Sequence, residues 1–224
     1  MRSCRAGANP GKAPNEVAAH RPPAPGAAIT TLMILSIPIF PLNTVLYPGS
    51  LLPLKIFEQR YLDMTKVCVR DATPFGVCRI REGGEVGLPA VPEQIGCTAL
   101  IAEWEMPHLG LFHLQTQGQQ PFRIVDHSAR PDGLIRAEVE LLPEAAGRIE
   151  PEALALCQRV LEQIIEKIGP DYFAEPSDRE DPRWISYRLA QLLPLAAQEK
   201  QGLLELRDDG ERLRRLHAYL QQAR

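Results

Sequence analysis

The chain has 224 residues, 45% of them hydrophobic, which is enough for one large domain or a main domain with a smaller companion. The formal net charge is −3, and the first thirty residues hold four Lys or Arg against one Asp or Glu, so −6 belongs to the remainder. An acidic body lacks the broad positive footprint of a nucleic-acid binder. The five cysteines (Cys4, Cys68, Cys78, Cys97 and Cys157) contain no CxxC spacing, and their odd number is a poor disulfide framework. Free, buried thiols in a reducing cytoplasmic setting are expected. The five histidines (His20, His108, His113, His127 and His217) form no HExxH or related ligand spacing, so neither a metal nor a cofactor is expected.

Residues 1–32 read as a disordered leader, or as sequence ahead of a true start at Met33. They are rich in Ala, Pro and Gly, with Val17 and Ile29 as isolated aliphatics, and they form no signal-peptide run. No later stretch is apolar for long enough to span a membrane. Organised sequence begins with two apolar extended segments, 37–42 and 51–57, joined through Asn43, Pro48 and Gly49. Pro38, Pro41 and Pro53 lack a backbone donor, which places them at edges, bulges or strand ends and predicts that they mark where pairing stops.

Residues 58–70 follow as a helix, with Tyr61, Met64, Thr65 and Cys68 on one face and Arg60, Asp63, Lys66 and Arg70 solvated. A strand over 75–80 comes next, and the Gly- and Pro-rich residues 81–92 read as a mobile loop. Four further strands are predicted over 95–104, 109–117, 120–127 and 134–142, with Gly118 separating the middle two. Many short strands with one intervening helix favour an antiparallel barrel over a βαβ fold.

Composition changes after Pro143. Pro151 opens a helix whose apolar stripe runs from Leu154 to Ile168 and ends at Gly169–Pro170, and 172–179 reads as a short irregular connection. Asp181 caps a helix opened by Pro182, Pro194 starts another, and Asp208, Asp209 and Gly210 precede a last one. The division is therefore residues 33–143 as a β subdomain with one helix, and 144–224 as a subdomain of about four helices.

The segment 35–79, with IPIFPLNTVLYPGSLLPLKIFEQRYLDM and PFGVCRI, resembles stand-alone proteins built like the N-terminal substrate-recognition domain of ATP-dependent Lon proteases. The strand-rich residues 85–143 and the strings WISYRLAQLLPL and QEKQGLLEL extend that resemblance over 35–220. It implies an α+β fold, a PUA-like, mainly antiparallel β-barrel followed by a C-terminal helical bundle. It also implies recognition of protein or peptide segments. The family's GxxRFRV-like pattern is replaced by GQQPFRIV at Gly118, so the basic character expected before Phe122 is missing and no contact is assigned there.

The protease machinery of Lon is absent from this sequence: there is no GxxxxGK[ST] phosphate loop, and Ser186 and Lys200 read as cap or surface residues rather than a catalytic pair. Cys78 or Cys97 with His108, His113 or His127 would need contact and an orienting group that the spacing does not establish, and core thiols are the simpler reading. Arg123, Asp126, His127 and Arg130 raise an RNA-binding alternative, but no aromatic residues interleave with the positive charge.

The expected function is noncatalytic recognition of unfolded or exposed protein segments, as an adaptor in quality control working with a protease or chaperone. The alternative is a structural protein-interaction module without extended clients. Clustering at the strand-to-helix corner nominates Asn43, Tyr47, Lys55, Glu58, Arg60 and Tyr61, facing Trp104 and Phe112 across a groove. Each has a plainer reading: Tyr61 packs in the core with its hydroxyl at the boundary, Trp104 closes the barrel edge, and Arg60 and Glu58 form exposed charge pairs worth little individually.

Overall fold

A computed structural model describes residues 34–169, 172–174 and 178–222. The expected leader, a start at Met33, Cys4 and part of the connection over 172–179 lie outside the described residues.

The first strand, β1 (Ile34–Leu42), changes partner midway. Residues 34–39 run antiparallel to β7 (Ile135–Leu141), and residues 39–42 run parallel to β3 (Phe75–Glu82). A strand with one neighbour at a time leaves a free side for a nitrogen without a hydrogen, which is why Pro38 and Pro41 sit inside paired sequence. The expectation that these prolines end the pairing is thus corrected.

The expected PUA-like, mainly antiparallel β-barrel is also corrected. The seven strands form a branched, mixed sheet whose path runs β1-β7-β6-β5-β3 and terminates in β4 (Val91–Pro92), with a short parallel contact between β1 and β3. The branch is β2 (Leu51–Ile56), paired only to β6 (Leu111–Ala129). The cause is the length of β6. The predicted break at Gly118 does not occur, and one strand of 19 residues replaces two. Along one side it pairs with β2 through residues 112–117 and then with β7 through residues 122–129. Along the other it meets β5 (Ile95–His108), turning through Leu109 and Gly110, where φ is +83°. There β2 and the outer half of β5 project from the rest of the sheet as a separate ribbon.

Between β2 and β3, α1 (Gln59–Asp71) turns Tyr61, Leu62, Met64, Thr65 and Cys68 into a core shared with Phe40, Leu54, Phe75 and Phe112. The helical half contains α2 (Pro151–Ile168), α3 (Pro182–Leu192), α4 (Ala197–Glu205) and α5 (Asp209–Gln222). Asp181 caps α3 as expected, its carboxylate accepting from the Arg183 amide at 3.0 Å. Cys157, Leu161, Ile185, Leu189, Leu213 and Leu216 form the core of this half.

Strands and helices are tied together at the turn before β2. Tyr47 inserts among the helices, fully buried, and its hydroxyl donates to Lys200 O at 2.8 Å. From α3, Arg188 donates to Gly49 O at 2.7 Å, to Ser50 Oγ at 2.9 Å and to Pro48 O. From α4, Gln201 Nε2 donates to Ile95 O at 3.0 Å.

Candidate protein-binding surface

The projecting ribbon is built from β2, the first part of β6 and the outer half of β5. Register aligns Lys55, His113 and Glu105 in one cross-strand row, and Leu54, Leu114 and Trp104 in the next. Because side chains alternate between faces, Leu54, Ile56, Phe112 and Leu114 are buried beneath it while Pro53, Lys55, Glu103 and Glu105 point outward. A groove of about 610 Å³ lies over these strands, lined by Pro53, Lys55, Glu103, Trp104, His113 and Gln115 among others.

The eight residues nominated from sequence are not brought to one place. Lys55 and Trp104 share this groove. Lys55, Glu58 and Tyr61 share a smaller recess of about 190 Å³ with Phe40, Phe57 and Val86. Asn43 is exposed, its backbone N–H donating to Glu85 Oε1 at 2.6 Å. Tyr47 lies in the helical core and lines neither opening, and Phe112 is buried under the ribbon, edge-on to Trp104 at 5.8 Å between ring centroids.

Arg60 is buried and acts as a brace: it donates to Glu58 Oε2 at 2.9 Å and Gly133 O at 3.1 Å, with its guanidinium 4.6 Å from the centre of the Tyr61 ring. Burial pushes the Tyr61 hydroxyl up from its ordinary value, and the neighbouring Arg60 charge opposes that rise.

Residues that the sequence reading did not nominate complete the surface. Glu103, Glu105, His113 and Gln115 line the groove, with His113 Nδ1 2.9 Å from Glu105 Oε1. Met106 and Leu109 extend the exposed apolar strip begun by Trp104. The available signal was the alternation Glu103-Trp104-Glu105-Met106, which a strand separates into an acidic face and an apolar one.

The other chemistries considered from sequence meet different fates. Cys78 and Cys97 are completely buried, and burial pushes both thiols far up, away from the thiolate a nucleophile requires. Ser186 Oγ donates to Arg183 O at 2.9 Å and accepts from Arg212, while Lys200 Nζ donates to Gln191 O at 2.7 Å, so both are engaged in packing the helices. Arg123 stands opposite Glu140, and Asp126 opposite Glu138, which breaks up any basic face there. Among the described residues no group of three or more His, Cys, Asp or Glu is placed to hold a metal ion, and no helix is long and apolar enough to cross a membrane.

Comparison with known proteins gives one consistent result. Residues 36–222 match the ATP-dependent protease La (LON) substrate-binding domain. The Lon protease of Paraburkholderia phytofirmans is 30% identical over 181 residues, which are 76% of this chain and 22% of that protein. Lon protease 2 of Herpetosiphon aurantiacus is 29% identical over 87% of this chain and 24% of its own length. The chain thus spans under a quarter of the length of these relatives. A crystal structure of a Lon N-terminal domain protein from Xanthomonas campestris superposes with a TM-score of 0.68 at 32% identity, covering 83% of this chain and 98% of that one. The N-terminal domain of Mycobacterium avium complex Lon protease shares the fold, with a TM-score of 0.59 at 19% identity over 81% and 96% of the two chains. With a family match running through both the strands and the helices, the chain belongs to the family of Lon substrate-binding domains.

Proposed function

We propose that this protein recognises unfolded or exposed protein segments without cleaving them, and that the ribbon groove is where it does so. The carrying observation is the exposure of Trp104 (52%), Met106 (48%) and Leu109 (98%) on a projecting ribbon beside a groove of about 610 Å³. Large apolar side chains grouped in this way mark interaction surfaces. Family membership supports the same reading. In this role the protein acts as a quality-control adaptor in the cytoplasm, handing clients to a protease or chaperone. Among the described residues, the four free, buried thiols of Cys68, Cys78, Cys97 and Cys157 suit a reducing compartment.

The test is titration of a fluorescein-labelled, permanently unfolded protein followed by anisotropy, with its native form as control. Saturable binding of the unfolded form alone is expected, weakened at least tenfold by Trp104→Ala. Equal binding of both forms, or none, overturns the proposal and leaves a structural interaction module.

A further inference from the structure

Three lengths of strand edge differ in what they offer another chain. In β2, Gly118 N donates to Ser50 O, so by alternation residues 52, 54 and 56 face β6 and Leu51, Pro53 and Lys55 present their backbone outward. Pro53 has no hydrogen to offer, and this edge is interrupted at its centre. The edge of β4 is two residues long and includes Pro92. The outer half of β5 is different. It pairs with β3 only through residues 97–99, its residues 102–108 are all exposed, and no proline interrupts 101–106. Leu114 turns its backbone to β2, so the β5–β6 ladder runs through Glu103 and Glu105, and the amide and carbonyl of Trp104 point to the free side.

We infer that the free half of β5 takes up an extended client strand whose side chains alternate basic and apolar, a specification that rests on the client-binding reading above. The client's main chain completes the ladder at Trp104, its basic residues lie beside Glu103 and Glu105, and its apolar residues cover Trp104 and Met106. Glu105 is 70% exposed despite its contact with His113, and among the described residues no cation pairs with Glu103. A second copy of this chain is the wrong occupant. Antiparallel self-pairing about Trp104 sets Glu103 of one copy against Glu105 of the other, and like charges directly opposite one another destabilise a strand pair.

The test uses the full chain and labelled seven-residue peptides alternating Lys with Val, Gln with Val, or Glu with Val, plus a Lys/Val peptide N-methylated on alternate amides. The Lys/Val peptide is expected to bind at least tenfold tighter than Gln/Val, with Glu/Val weakest. N-methylation on the β5-facing amides costs a further tenfold, and the Glu103→Gln/Glu105→Gln double variant abolishes the preference for Lys. Equal affinity for Lys/Val and Gln/Val, indifference to N-methylation, or a concentration-dependent dimer that excludes the peptide overturns the inference. Binding of the unfolded protein in the same samples separates the two claims: if it persists, only the strand-addition inference falls; if it too is absent, the client-binding reading falls with it.

Discussion

Replacing Arg188 with Met tests whether a buried cation holds the strand half to the helical half. The side chain is 1% exposed and has three oxygen partners, Gly49 O, Ser50 Oγ and Pro48 O, none of them a carboxylate. Burial lowers its pKa from 12.5 to about 10, the nearby Cys97 and tyrosines opposing the drop. That net depression corresponds to about 3 kcal/mol against the charged form in the fold. Three charge-assisted hydrogen bonds at about 2 kcal/mol each outweigh it by about 3 kcal/mol. Methionine relieves the desolvation but strands buried carbonyls, so Arg188→Met should destabilise the protein by about 3 kcal/mol. Urea unfolding followed by tryptophan emission should show a midpoint lower by about 1–2 M. Arg188→Lys keeps the charge but replaces a planar fork, which reaches its acceptors from two nitrogens, with a single compact ammonium, and should fall at least as far. A variant with an unchanged or higher midpoint would refute the reasoning, since the turn would then be held by packing alone.

Gly118→Ala should lose about 3 kcal/mol or fail to fold, because a Cβ there would sit 2.2 Å from Tyr47 O; circular dichroism and soluble yield report it. Tyr47→Phe removes one buried hydrogen bond to Lys200 O, so thermal melting should show about 1 kcal/mol lost while peptide affinity stays unchanged. Burial pushes the Cys157 thiol from 9.0 up to about 12, so the unfolded chain gives up this proton first. The stabilisation is complete below pH 9 and is lost as pH rises from there towards 12. In urea titrations across that range, Cys157→Ala should make the fall in stability shallower by up to about 1.4 kcal/mol per pH unit.

Much of the helical half was legible because its signals are local. Pro151 and Pro182 begin helices at the positions where a missing amide is harmless, and the Gly169 backbone, at φ +90°, ends α2. The sheet was less legible because partner choice is not local. Nothing in β1 itself announces that Ile39 is where pairing passes from β7 to β3. Gly118 was read as a break, yet it exists to let the Tyr47 carbonyl approach β6 closely, a contact between segments some seventy residues apart. The site divides along the same line. Trp104 and Lys55 do reach the groove, whereas Tyr47 and Phe112 are drawn inward by neighbours that sequence spacing cannot reveal.

The uninterrupted course of β6 bears on how the protein would respond to pulling. A force applied to the ribbon along its strand axis would load the β2–β6 and β5–β6 ladders in shear, so that several hydrogen bonds must yield at once. The tension would travel through the covalent backbone at Gly118 into the region anchored by Tyr47 and Arg188, making the helical half the mechanical footing of the ribbon.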